Sequence, residues 1–169
     1  VVELFAGVGG FRCGLNNVEL IDDKVKENGN WKFVWANQWE PSTKTQDAFN
    51  CYTKRFGAED ASNVDIFEVN KKEIPDHTLL VGGFPCQGFS QANRLRTLED
   101  DRNQLYRFFY NTIRIKQPKY FIAENVKGLM TANKGEAFPL IISEFEKSGY
   151  QVTHKLINAA AFGVPQKRE

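Results

Sequence analysis

Cys86, in Val81-Gly82-Gly83-Phe84-Pro85-Cys86-Gln87-Gly88-Phe89-Ser90, is the residue of this chain best placed to act as a nucleophile. Buried structural cysteines sit inside apolar runs; this one follows such a run, after a proline, in a loop whose glycines admit a ligand. Taken alone, the segment suits a catalytic and a structural cysteine equally. An unperturbed thiol is only a few per cent ionised at neutral pH, so a catalytic one needs about 2 kcal/mol of help toward the thiolate, or a base that takes its proton during attack. A second reactive group is Glu124, which closes the apolar run of Tyr120-Phe121-Ile122-Ala123. A carboxylate at such a strand end is expected to be poorly solvated and suited to proton donation; an ordinary helix-entry or surface glutamate is the alternative.

Upstream, Phe5-Ala6-Gly7-Val8-Gly9-Gly10-Phe11 holds three glycines in four positions, which let the backbone turn tightly and bring bare N–H groups against a ligand. A dinucleotide fingerprint would need glycines at 7, 9 and 12, and position 12 is Arg. A nucleotide-like cofactor and a purely structural turn both fit the loop. Roughly thirty residues on, Asn37-Gln38-Trp39-Glu40 offers groups for a ribose hydroxyl, or else the start of a helix. Asp65 is either a turn former or an acceptor for a purine amino group. The basic Gln166-Lys167-Arg168 reads by itself as a solvated edge. Cys13 and Cys51 fall on predicted helices as small core residues. His77 in a turn and His154 in a predicted last strand have no metal or triad partner at suitable spacing.

These residues need a scaffold, and the hydrophobic pattern supplies one. Apolar runs at VVELF, FVWANQW, NVDIF, TLLVGGF, YFIAEN and YQVTHKLINA alternate with helical patterns near 10–18, 42–55, 102–116 and 136–148. Such alternation predicts an α/β fold with a doubly wound, mostly parallel sheet covered on both faces. Ligands in that architecture sit at the carboxyl ends of strands, where the residues above lie.

Composition narrows the class further. The chain has 169 residues, 41% of them apolar, with 22 Lys plus Arg against 21 Asp plus Glu. That excludes a disordered chain, and the near-zero net charge gives no global field for capturing nucleic acid. Three cysteines and two histidines, all scattered, argue against a disulfide scaffold or a structural metal. With no long apolar span and no leader pattern, the expectation is a cytoplasmic protein with reduced thiols and no membrane partner. Both ends look cut, and without linkers or repeats one domain over 1–169 is expected.

Together, FAGVGGF, NQWEP, VDI, GGFPCQGFS, ENV and GVPQKRE, in this order, closely resemble the cytosine-C5 DNA methyltransferases over essentially the whole chain. The resemblance implies a Rossmann-like domain binding S-adenosylmethionine, with S-adenosylhomocysteine as product. Phe5 would stack on adenine; Ala6, Gly7, Gly9 and Gly10 would line the methionine side; Gln38, Trp39 or Glu40 would meet the ribose; Asp65 and Ile66 would face the adenine edge. Pro85 and Leu105 would complete the cofactor site. Cys86 would add to C6 of a cytosine flipped from double-stranded DNA, Glu124 would bond N3, and Arg168 would hold the O2 side. Gln87, Ser90, Arg94 and Arg96 would belong to a loop closing over the base.

Two departures from the family pattern stand out. Gln38 occupies the place before Trp where relatives carry Glu, leaving open whether Gln38 or Glu40 binds the ribose. The second arginine common after the Arg-Glu pair is missing, as is the target-recognition region. The implied protein is a monomeric modification enzyme of a bacterial restriction-modification pair, nucleoid-associated when acting. An inactive methyltransferase-like module and a tRNA methyltransferase are the competing readings, with a thiol hydrolase outside the family.

Overall fold

The computed structural model describes residues 1–22, 24–85 and 104–169. Its centre is a five-stranded parallel sheet in the order β5-β4-β1-β6-β7. The strands are β1 (Val2–Leu4), β4 (Trp35–Asn37), β5 (Ala61–Ser62), β6 (Leu79–Gly83) and β7 (Tyr120–Glu124). A separate antiparallel hairpin, β2 (Glu19–Ile21) with β3 (Lys24–Lys26), follows the first helix. The helices are α1 (Gly10–Leu15), α2 (Asp47–Phe56), α3 (Gln104–Lys116) and α4 (Ala137–Lys147).

The chain begins in the middle of the sheet, grows outward through β4 and β5, then returns to the other side of β1 with β6 and β7. β1 is therefore flanked by β4 and β6, and the reversal point lies between β1 and β6, where open α/β sheets bind ligands. Glu3 is in register with Ala36 and Val81, so these three side chains share one face. On that face Phe11 and Leu15 of α1 pack on Val1, Phe33, Leu79 and Val81, while Tyr52 and Phe56 of α2 pack with Ala6 and Ala36.

The chain divides into two compact units, one of residues 1–84 and 111–124, the other of 85–110 and 125–169. In the second, Phe109 and Tyr110 of α3 meet Phe145 of α4 at ring-centroid distances of 6.2 and 6.4 Å. Ala137, Ile141 and Phe145 form the buried stripe of α4.

Several expectations are corrected. NVDIF is not a strand: β5 is Ala61–Ser62, and Asp65 sits in the following turn because side chains of Asn37 and Asp65 bond the backbone there. YQVTHKLINA forms no strand either, being largely exposed, and His154 lies outside any sheet with its ring edge-on to Phe138 at 4.9 Å. The second helix starts at Asp47 rather than 42, because Gln46 folds back to bond Glu40. Cys13 and Cys51 do lie on α1 and α2, but are half-buried rather than core residues.

Candidate active site

The turn after β1 takes unusual backbone angles within a few residues: φ is 55° at Phe5, 55° at Gly7 and 90° at Gly9. A left-handed phenylalanine is held only where its surroundings over-determine it. Glycine is required at position 9 for a second reason, since a Cβ there would stand 2.4 Å from the Phe56 ring. At Gly7 and Gly10 nothing lies within 4 Å of where a Cβ would be, so both backbones border open space.

The loop is tied to the end of β4. The Ala6 N–H donates to the Asn37 carbonyl at 3.0 Å, and the Gly7 N–H donates to Oε1 of Gln38 at 2.8 Å. Arg55 of α2 adds a bond from Nη1 to the Val8 carbonyl at 3.0 Å. Gln38 thus keeps Oε1 on the loop, and its amide nitrogen has no hydrogen-bond partner among the described residues. Trp39 beside it is exposed.

Glu40 is engaged elsewhere. Its Oε2 accepts the Ala48 N–H at 2.9 Å in the first turn of α2, where the orphan N–H groups and the helix dipole favour a carboxylate. Its own N–H donates to Oε1 of Gln46 at 2.8 Å. Asn63 links the two segments, donating to the Gln38 carbonyl at 2.7 Å and to Gln46 at 2.9 Å. Asn37, fully buried, donates to the Val64 carbonyl at 3.0 Å and so fixes the segment leading to Asp65. Asp65 caps its own turn through Oδ1 to the Phe67 N–H at 3.0 Å, leaving Oδ2 available, and Ile66 is buried. Sequence reasoning gave no separate role to Asn37, Gln46 or Asn63; a polar residue ending the buried β4 was the one signal that pointed to Asn37.

On the other side of the reversal point, β6 and β7 pair so that Gly83 is in register with Glu124. A Cβ on Gly83 would stand 2.6 Å from Oε2 of Glu124, so the carboxylate lies directly over that glycine. Glu124 is exposed, contrary to the poor solvation expected of it; β7 is the last strand of the sheet among the described residues. Pro85 is exposed and Leu105 half-buried at the start of α3. Cys86, Gln87, Ser90, Arg94 and Arg96 lie outside the described residues.

Arg168 is exposed, and its backbone is held: its carbonyl accepts the Ala159 N–H at 2.8 Å. Next to it, Glu169 forms an ion pair with Lys127, and its carbonyl accepts the Lys127 N–H at 3.3 Å. Lys127 is three residues beyond Glu124 in the chain. Among the described residues no cluster of three or more metal-ligating side chains occurs, and no helix is long and apolar enough to cross a membrane.

Beneath the glycine loop lies a feature with no counterpart in the sequence reading. Glu3 is completely buried in β1, and neither of its oxygens has a hydrogen-bond partner of ordinary geometry. Burial pushes its carboxyl up to about 7, against the weaker opposing pull of the Phe11 and Arg12 backbone, the Arg12 charge and the Tyr52 hydroxyl. Arg12 itself grips Glu27 side-on, Nε to Oε1 at 2.9 Å and Nη2 to Oε2 at 2.7 Å. That contact holds Glu27 below the usual carboxylate range despite its partial burial.

A sequence model of the family described as C-5 cytosine-specific DNA methylase matches residues 1–169. The chain belongs to that family. Among its methylase relatives, the Type II methyltransferase M.Sau3AI of Staphylococcus aureus is 42% identical over 99% of this chain and 41% of its own length. The Type II methyltransferase M1.ScrFI of Lactococcus lactis subsp. cremoris is 38% identical over 100% of this chain and 39% of its own. The chain therefore spans about two-fifths of the length of these methylases. A crystal structure described as a DNA modification methyltransferase encoded within an E. coli prophage superposes with a TM-score of 0.70 at 27% identity, covering 99% of this chain and 43% of that one. Spodoptera frugiperda DNMT2, at 20% identity and a TM-score of 0.56 over 85% of this chain and 40% of that one, shares the fold. The doubly wound sheet expected from the sequence is the fold of these methylases.

Proposed function

We propose that the protein methylates C5 of a cytosine flipped out of double-stranded DNA, with S-adenosylmethionine as methyl donor, as the modification enzyme of a restriction-modification pair. The observation that carries this reading is the register of Gly83 with Glu124 at the reversal point of the sheet. It sets the acid beside the strand that runs into Pro85 and Cys86, while the glycine loop leaves from the neighbouring strand β1. Cys86 is three residues beyond Gly83 in the chain, and that length of chain reaches roughly 10 Å at most. Family membership over the full chain and the Type II names of the relatives support the same reaction.

Bound at the glycine loop, the cofactor supplies an electrophilic methyl group. The open backbones of Gly7 and Gly10 would face its methionine part, with Phe5 against the adenine and Ile66 and the free Oδ2 of Asp65 at the adenine edge. Gln38 is assigned to the ribose through its amide nitrogen, because the carboxylate of Glu40 is occupied at the start of α2. Pro85 and Leu105 would close the cofactor site.

On the base, C5 of cytosine is too weak a nucleophile unassisted. The Cys86 thiolate adds to C6 and gives C5 enamine character. Glu124 stabilises the ring through N3 as that charge develops, and Arg168 holds O2. Once C5 carries the methyl group, a base removes its proton and the Cys86–C6 bond breaks, restoring the thiolate. The exposure of Glu124 suits a group that must meet an incoming base. Gln87, Ser90, Arg94 and Arg96 are assigned to the loop that closes over it.

The test is trapping on DNA containing 5-fluorocytosine, whose fluorine blocks the last proton removal. With S-adenosylmethionine present, the intact protein should form a covalent adduct stable to denaturing electrophoresis, and Cys86→Ala should form none. Absence of an adduct from the wild-type protein would overturn the reading.

A further inference from the structure

Position 12 is where a dinucleotide-binding fold would place its third glycine, used for close packing of helix on strand. This chain has an arginine there, and its side chain is only 14% exposed. The guanidinium does not point to solvent. Glu27, which follows the β2–β3 hairpin, takes it in a two-bond grip at 2.9 and 2.7 Å. Glu27 is fixed in turn by Nδ2 of the buried Asn16 at 2.6 Å, which also donates to the Trp31 carbonyl at 2.9 Å. A planar fork held on its edge has its faces free for rings. The guanidinium carbon lies 4.5 Å from the Phe56 ring centroid and 5.2 Å from that of Phe33. Phe56 is steadied by Tyr52, ring centroids 5.0 Å apart, and Tyr52 accepts from Nη1 of Arg12 at 3.4 Å.

Phe56 is also the ring that presses on Gly9, so closely that no side chain could stand there. A continuous line of contacts therefore runs from Glu27 through Arg12 and Phe56 to the glycine at the turn. We propose that Arg12 is a positioning residue for the glycine loop: locked by Glu27, it holds the Phe56 ring against Gly9 and so sets the backbone on which the cofactor rests. The assignment rests on the reading of that loop as the cofactor site. It also gives the β2–β3 hairpin a purpose, since Glu27 follows directly from it.

Lysine cannot replace this arginine, because an ammonium offers neither the two-bond edge nor the flat face. The experiment uses the intact protein and three variants: Arg12→Lys; Phe56→Leu, a milder change should the first not fold; and Ile113→Val. The last removes a methylene from a buried position of α3 that makes none of the contacts in this line, and serves as a stability control. S-adenosylhomocysteine affinity is measured by calorimetry, and backbone hydrogen exchange over residues 7–11 is measured without ligand. Arg12→Lys and Phe56→Leu should each weaken binding about tenfold, ~1.4 kcal/mol, and speed exchange in 7–11, with KM for DNA unchanged. Ile113→Val should lower the melting temperature and change neither.

Wild-type affinity in the folded Arg12→Lys and Phe56→Leu proteins would overturn the clamp, whatever their exchange rates. Equal losses in Ile113→Val would do the same, by reducing the effect to general stability. A wild-type protein that binds no S-adenosylhomocysteine would refute the cofactor reading instead, and the exchange rates would then decide the clamp alone.

Discussion

Replacing Glu3 by glutamine should make the protein more tolerant of alkaline pH. Glu3 is sealed in β1 under α1 and α2, facing the backbone of Phe11 and Arg12, the Arg12 guanidinium and the Tyr52 hydroxyl. In the unfolded chain its carboxyl ionises near 4.5; in the fold it does so only at about 7. Between those values the unfolded state has released a proton that the folded state retains, so stability falls as pH rises. This contribution is fully present below about pH 4.5 and is lost as the pH passes about 7. At ~1.4 kcal/mol per tenfold change in ionisation constant, it amounts to roughly 3 kcal/mol. Glutamine keeps the shape and cannot ionise, and its unpaired amide imposes a penalty that does not vary with pH. Urea unfolding of both proteins at several pH values from 5 to 8 isolates the effect. The stability of Glu3→Gln relative to wild type should rise by roughly 2.5 kcal/mol across that range, since part of the change already lies below pH 5. His77, whose ionisation is lowered chiefly by burial, adds its own slope on the acidic side, but equally to both proteins. A difference that stays constant from pH 5 to 8 would refute the argument, and would mean that Glu3 ionises in the fold as freely as outside it.

Two further substitutions test the placement of single side chains. Gly83→Ala puts a methyl group 2.6 Å from Oε2 of Glu124, a flexible carboxylate that can swing aside, so stability should change by less than ~1 kcal/mol. Adduct formation on 5-fluorocytosine DNA should nevertheless slow at least about tenfold, because catalytic groups tolerate little displacement; an unchanged rate would detach Glu124 from the chemistry. Glu40→Ala removes the acceptor for the Ala48 N–H and should cost about 1 kcal/mol in urea unfolding while leaving S-adenosylhomocysteine binding near wild type. A large loss of binding would return the ribose to Glu40.

The sequence made the central strands legible because they are continuous apolar runs: Leu79-Leu80-Val81 and Val1-Val2 have nowhere to go but inward. It made the glycine loop legible for a related reason, since three glycines at a strand end have few structural uses. It failed where polar side chains, not apolar periodicity, decide the backbone. Asn37, Asn63 and Asp65 bond the segment after β5 into a turn, although NVDIF alternates like a strand. The β2–β3 hairpin is short and mostly exposed, so no hydrophobic pattern marks it. The exposure of Glu124 could not be read because it depends on β7 being last in the strand order, which composition does not reveal. Glu3 sits inside an apolar run and passes for a strand residue; nothing in its neighbours' identities tells which face it points to.

If Gln38 serves both the glycine loop and the ribose, as proposed above, that pairing narrows what can replace it over evolutionary time. One atom of its amide anchors the Gly7 N–H, and the other belongs to the same planar group. Removal of the whole amide would therefore cost both roles at once. A lineage can drift from glutamine to glutamate and keep the anchor, since both present an acceptor to the Gly7 N–H at the same reach, whereas leucine or lysine would forfeit the anchor and the proposed ligand contact in one step.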